Sequence, residues 1–561
     1  TDQMIDTPTN NYCTLNPLFR YSSDTASWSE GNLKHTASGA SEFTTGTFSV
    51  NSGKWYYEMA GITDAQTTIG AWKEEGLTYT TTTFTSLWNY RYYGSNGIVY
   101  DDNGTTIQTY STYAPGDVIG CALDMDNGAI YFSKNGVWQG SSNPATGSNP
   151  AATTNLTDGK AWVPAGTVDS SQSAVFNFGQ DSSFAGNETA QGNGGDGEDF
   201  YYTPPTGYVA LNTDNLSDPA IALPTDHFSA TIWSGNDAAS RAITTGVDAD
   251  FVWYKDRTGT ESNSLYDSVR GAQKRIISNS TDYERTRTTG LLSFDSTGFT
   301  VGADTECNGS GKNYVAWNWK AGGTAASITA GSIDGTNPTI ASSVSANPTA
   351  GFSIAAYTGN GVSGATVGHG LSQVPEMVIV KSRDFTGGWV VYSEPVGNTK
   401  YLYLDTTGAE VTDSGRFNDT TPTASVFTLG DDGYVNQSGN TLIAYCFHSI
   451  EGYSKVGSYA GNANADGAFI YTGFKPAFVL AKSYDYAYDW PMVDNKRGPY
   501  NVITKGLAAN ISDAELDNVA NSVDFLSNGF KFRNSHTMFN GSHNYIYLAF
   551  AESPFKTSNA R

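Results

Sequence analysis

Six residues, Tyr314-Val-Ala-Trp-Asn-Trp319, constrain this chain more than any other stretch, because they return twice. The second copy is Leu442-Ile-Ala-Tyr-Cys-Phe447 and the third is Tyr545-Ile-Tyr-Leu-Ala-Phe550. Each is β-branched and aromatic, the side-chain types that pack on a pleated surface, and each follows a polar Gly/Ser/Asn turn, so each reads as a strand. Upstream of the copies lie aromatic-x-Gly-Asn turns ending at Asn236, Asn360 and Asn462. Between turn and strand sit apolar runs that close on Lys255, Lys381 and Lys482. From turn asparagine to last aromatic the separations are 83, 87 and 88 residues, counted to Trp319, Phe447 and Phe550. Three landmarks in one order at nearly one spacing define an internal repeat.

A chain of 561 residues is too long for one core and divides into several domains. Its 31 Lys+Arg against 55 Asp+Glu give a net charge of −24, a surface that repels nucleic acid and anionic lipid alike. Sixty-one glycines and a 13% aromatic content suit short strands joined by tight turns, and no amphipathic helix pattern competes with them. The expected class is therefore all-β. Cys13, Cys121, Cys307 and Cys446 are widely spaced, which suits buried free thiols better than a disulfide scaffold or a zinc site. No apolar run approaches the ~18 residues that span a bilayer, so membrane insertion is not expected.

Residues 1–180 read as one unit of alternating strands. Its clearest part is Gly116 to Trp138, where Asn127-Gly128 and Asn135-Gly136 are both type I′ hairpin signals that predict a three-stranded meander. Gly53-Lys-Trp-Tyr-Tyr-Glu58, Gly116-Asp-Val-Ile-Gly120, Leu123-Asp-Met-Asp-Asn-Gly128, Phe132-Ser-Lys-Asn-Gly136 and Val175-Phe-Asn-Phe-Gly179 resemble the successive motifs of SPRY domains. The resemblance implies a concanavalin-like sandwich of two antiparallel sheets that acts as a binding module without catalysis.

Beyond it, the Gly/Asn/Asp-rich composition of 181–225, with Gly192-Asn-Gly-Gly-Asp-Gly197, predicts an extended or flexible connector. Three related β-sandwich repeats follow at 226–321, 350–449 and 450–561, with an Ala/Ser/Thr/Gly linker at 322–349. The SPRY-like module, the Phe200-Tyr-Tyr-Thr-Pro-Pro205 connector, the repeats and the closing Ala551-Glu-Ser-Pro-Phe-Lys556 together resemble tail-fibre and spike proteins of tailed bacteriophages, marine ones in particular. That resemblance implies an extracellular virion component, commonly a homotrimer, often with a further N-terminal attachment segment. Its partners would be a host-surface glycan or protein receptor and other tail, baseplate or capsid proteins. A structural spacer or capsid-decorating fibre is a second reading, and a polysaccharide depolymerase a third.

Candidate chemistry is sparse. Asp124-Met-Asp-Asn-Gly128 and Asp101-Asp-Asn-Gly104 hold clustered carboxylates, but glycine comes one place early for an EF-hand loop, and a hairpin turn accounts for the first. His536 and His543 flank one turn without a third ligand. The Glu-x-Asp-x-x-Glu spacing of sandwich-type glycosidases, the Gly-x-Ser-x-Gly elbow and the P-loop are absent. The reading is thus of a non-enzyme with no cofactor and no metal. Aromatic-rich stretches are the candidates for ligand contact. Trp88 and Tyr90, in Trp88-Asn-Tyr-Arg-Tyr-Tyr93, could stack on sugar rings, although the alternation better suits an inward-facing core strand. Tyr484, Tyr486, Tyr488 and Trp490 fall on an acidic stretch that reads as an exposed loop and a contact surface.

Overall fold

The computed structural model describes residues 10–19, 25–39, 42–74, 89–101, 104–153, 156, 160–169, 171–195 and 197–558. Strands dominate these residues, and helix is limited to single turns such as Ser414–Phe417 and Gly433–Asn436. The chain separates into two compact units, Thr1–Asp218 and Pro219–Arg561.

The first unit is a β-sandwich. One sheet carries eight strands, with Lys54–Ala60 between Ser173–Asn177 and Ile119–Asp124. The other has the six-stranded order Glu42–Thr45, Trp162–Val168, Thr67–Lys73, Asn89–Tyr93, Ile98–Tyr100, Thr106–Thr109. The expected meander is present as Ile119–Asp124, Ala129–Lys134 and Val137–Trp138. Only its second turn is type I′: Asn135 and Gly136 both have positive φ, 49° and 74°. At the first, Asp124 pairs with Ala129 and leaves a four-residue loop, because the Asp124 carboxylate accepts the Asn127 N–H at 3.0 Å and its side-chain amide at 2.9 Å.

The stretch 181–225, read from its composition as a connector, is fastened to this unit as far as Asp218. Val209–Ala210 adds a parallel strand to Lys54–Ala60, and Phe200 is buried against Tyr56 with ring centroids 5.0 Å apart. The anchor is Glu58. Its buried carboxylate accepts the backbone N–H groups of Tyr201 and Tyr202, both at 2.8 Å, the Tyr56 hydroxyl at 3.0 Å and the Asn177 amide at 3.3 Å. Burial pushes that carboxyl up to about 7. Glycine content described the flexibility of the free chain and could not register a distant carboxylate.

In the second unit the repeats share one topology. The first repeat's main sheet has the order Phe228–Ser234, Asn313–Trp319, Phe251–Asp256, Ser264–Asp267, Lys274–Ile277, Arg285–Thr286. The third repeats it as Ser454–Ala460, Asn544–Pro554, Phe474–Ser483, Pro491–Asp494, Lys505–Ala508, Leu516–Asp517. The second follows the same order from Phe352–Thr358 through Thr441–Phe447 and Met377–Ser382 to Val411–Thr412. Its sheet is extended by Ala326–Ile328 and Ser342–Asn347, which come from the 322–349 stretch expected as a linker. Small β-compatible residues with buried Ile340 and Val344 among them are enough to pair at a sheet edge.

Each main sheet is buried on both faces, which explains why its strands read as continuous apolar runs. Val252, Tyr254 and Tyr314 face a core shared with the smaller sheet of their own repeat, Arg241–Thr244, Gly298–Val301 and Leu291–Asp295. The alternate residues Phe251, Trp253, Val315, Trp317 and Trp319 face a core common to all three repeats. There the last aromatics of the recurring hexapeptide meet: Phe550 lies 5.7 Å from Trp319 and 6.1 Å from Phe447, centroid to centroid.

Candidate functional site

The repeats pack as a closed ring, because equivalent residues make equivalent bonds at all three boundaries. Residues preceding the fourth strand of each sheet reach across to the last carbonyl of the neighbour's fifth strand. Trp389 Nε1 donates to Ile277 at 2.8 Å, Trp490 Nε1 to Tyr403 at 2.9 Å and Asn263 Nδ2 to Ala508 at 3.1 Å. A second set is purely backbone: Glu284 N–H to Arg383, Glu410 N–H to Tyr484 and Glu515 N–H to Arg257. The order runs second onto first, third onto second, first onto third, and so closes.

The lysines that end the apolar runs sit at these boundaries. Lys381 Nζ donates to the carbonyls of Thr281 and Gly387, Lys482 Nζ to those of Thr407 and Tyr488, and Lys255 Nζ to those of Asp256 and Gly259. Burial lowers each ammonium to about 8. These are structural cations that stitch loops with carbonyl acceptors.

The contact residues suggested by the sequence separate in the structure. Trp490 is a correction: it lies in the shared core at the boundary just described, because the loop ends one residue before it and the strand Pro491–Asp494 begins. Tyr90 is buried and stacked on Trp162 at 5.6 Å and 13°, so its stretch is an inward-facing core strand. Trp88 lies outside the described residues. Tyr484 packs against the shared core through its ring.

Tyr486 and Tyr488 remain at the surface. Tyr486 is 46% exposed and stacks on the His543 imidazole at 4.2 Å and 18°. The Tyr488 ring meets His536 edge-on at 5.6 Å, with its hydroxyl 3.5 Å from Nε2. Asp485 holds the two segments together by accepting the Asn544 backbone N–H at 3.0 Å and side-chain amide at 2.8 Å. Sequence reasoning noted both histidines but treated them as turn residues. The signal that would have joined them to the tyrosines is the repeat itself, since the Asn313 and Thr441 N–H groups donate in the same way to Thr258 and Asp384. Such a surface offers aromatic faces, imidazole nitrogens and a carboxylate, groups that bind by stacking and hydrogen bonding. Among the described residues no three His, Cys, Asp or Glu side chains are grouped to hold a metal ion, and no helix is long and apolar enough to cross a membrane. All four cysteines are buried and free.

A family model described as "Domain of unknown function (DUF7483)" matches residues 223–554, the whole of the ring. The chain belongs to the DUF7483 family. Ahead of that DUF7483 region, the SPRY domain model matches residues 54–181. Similar solved structures include the SPRY domain of human HERC1, 20% identical, with 31% of this chain and 96% of that one covered and a TM-score of 0.21. Another is the TRIM65 PSpry domain, 13% identical over 30% and 90% of the two chains, with a TM-score of 0.24. No curated protein matches.

Proposed function

We propose that this chain is a non-catalytic attachment component of a bacteriophage virion, a tail-fibre or spike protein that holds binding modules against a host-surface glycan. The observation that carries the reading is the Tyr486–His543 and Tyr488–His536 cluster, where aromatic and imidazole groups meet at the surface of the ring. Loops held by rigid sheets are where binding residues concentrate. Several weak sites on one particle would gain avidity, because later contacts form at high effective concentration. The SPRY domain adds a second module of a kind suited to recognition. A homotrimer would have to form on other surfaces, because the three repeat-to-repeat faces are used up within one chain.

The test is to offer purified chain an array of host polysaccharides and to score retention and cleavage separately. Retention without new reducing ends is the expected result. New reducing ends would replace this reading with a depolymerase, and silence across host polysaccharides and host cells would replace it with a structural spacer.

A further inference from the structure

We propose that the second repeat carries a binding site for an uncharged saccharide, with the half-buried rings of Phe385, Tyr403 and Tyr434 as its walls. The inference rests on the adhesive reading above and assigns it a place. The three rings are half-buried and adjoin one another: Phe385 to Tyr434 at 6.3 Å and 32°, Tyr434 to Tyr403 at 6.3 Å and 65°. Beneath them a Cβ at Gly388 would lie 2.7 Å from the Tyr403 ring, and one at Gly387 would lie 3.0 Å from the Tyr434 ring. The rings therefore lie flush against bare main chain.

The other two repeats serve as an internal control. Strand register places Tyr403 at the position of Ile277 and Ala508, and Tyr401 at that of Arg275 and Gly506. Counting back from Asn263, Trp389 and Trp490, Gly387-Gly388 stands where the first repeat has Glu261-Ser262 and the third Tyr488-Asp489. The ring closes in all three cases, so closure demands neither the tyrosines nor the paired glycines; within the second repeat Tyr401 belongs to the core and Tyr403 and Tyr434 pack against it. The tyrosines and the paired glycines occur together in one copy only.

Arg416 holds this cluster in place. Its buried guanidinium lies over Tyr401, Tyr403 and Tyr434 at 4.9, 5.7 and 5.0 Å and donates to the Tyr403 hydroxyl at 2.8 Å. Asp432 pairs with it and Asp413 stands 3.8 Å away, so its charge is answered inside the protein. It is a positioning residue. Beside Tyr403, half-buried Asp405 accepts the Trp389 N–H at 2.9 Å, and the same oxygen would lie 3.5 Å from a Cβ at Gly388.

Aromatic walls and a carboxylate acceptor suit the C–H face of a pyranose with a hydroxyl donating to Asp405. Asp405, Asp413 and Asp432, on a chain of net charge −24, disfavour an acidic sugar.

The experiment titrates the full chain with a panel of neutral and acidic bacterial tetrasaccharide fragments by calorimetry. Saturation transfer from the protein's aromatic protons is read in parallel. Neutral fragments are expected to bind with transfer to sugar C–H protons. Phe385→Ala and Tyr434→Ala should each weaken binding by about tenfold at unchanged melting temperature, and Tyr434→Phe by less than about twofold. Wild-type binding that both alanine variants keep would overturn this site and leave the adhesive reading standing. Binding of acidic fragments alone would overturn the uncharged class. Absence of aromatic saturation transfer in the wild type would overturn the site even if a variant failed to fold. Binding of no fragment and no host polysaccharide would take down both readings.

Discussion

Tyr445 of the second repeat donates its hydroxyl to Asp267 of the first, 2.7 Å away, inside the shared core and beside the buried guanidinium of Arg270. The arrangement has a counterpart between the third repeat and the first, where Trp317 Nε1 donates to Asp494 at 3.1 Å and Arg497 pairs with that same carboxylate at 2.6 Å. At the third boundary the corresponding positions are Ser393 and Val396, with Leu548 in the place held by Tyr445 and Trp317, and none of the three carries a charge. Two boundaries thus bury an aspartate–arginine pair at these positions and the third does not.

Removing one partner of a buried ion pair is costly because the other is left uncompensated. Asp267→Asn is therefore expected to cost about 3–5 kcal/mol in urea unfolding. Ser393→Ala at the matching position should stay within about 0.5 kcal/mol, since the buried Ser393 hydroxyl has no hydrogen-bond partner.

Glu58 predicts a pH dependence in the SPRY unit. Its carboxyl is raised from 4.5 to about 7 by burial, so the folded state binds the proton more tightly than the unfolded one. The contribution is complete below pH 4.5 and is lost as pH rises through 7. Melting of the wild type between pH 5 and 8.5 should show that loss, and Glu58→Gln should remove the slope. The amide offers one acceptor oxygen to four donors, so the variant should also be less stable throughout, by about 1–3 kcal/mol.

The boundary lysines predict the opposite sign at alkaline pH. Each is lowered from 10.5 to about 8, so between those values the unfolded chain holds protons that the folded chain has released. Stability from this source rises as pH climbs from 8 to 10.5. Burial raises the tyrosines and thiols, so they ionise across this interval in the unfolded chain alone, and the informative quantity is the difference between wild type and Lys381→Met, which should widen in favour of the wild type.

Two residues four positions apart should behave in contrary ways. Trp490→Ala empties part of the shared core and is expected to destabilise by about 3–5 kcal/mol. Tyr486→Ala should leave stability within about 0.5 kcal/mol yet reduce retention on host polysaccharide, as read by surface binding at matched concentration.

The repeat was legible because its landmarks are local. The turn asparagine, the lysine-terminated run and the aromatic hexapeptide each declare themselves within a few residues, and their spacing gave three copies of one sandwich. Closure of the ring was not legible. It depends on Trp389 finding Ile277, Trp490 finding Tyr403 and Asn263 finding Ala508, and nothing within a repeat says which neighbour a side chain will meet. The same limit misplaced Trp490, whose acidic, tyrosine-rich surroundings read as a loop while the residue itself opens a core strand. It also hid Phe385, Tyr403 and Tyr434, which come from a loop, a strand and a helical turn separated along the chain and meet only in the folded repeat.

A row of modules stacked end on end has two exposed terminal copies, which need polar caps and fray first. Here the sequence of neighbours returns to its start, so every sandwich is flanked on both sides and none is last. A Cβ at Gly452 would lie 3.4 Å from both Pro219 at the entry of the unit and Pro554 near its exit, which brings the two ends of this unit to one spot. A new pair of termini cut elsewhere in the circle, with the old pair spliced, would preserve every boundary, and the whole assembly should melt as a single cooperative body without peeling from an end.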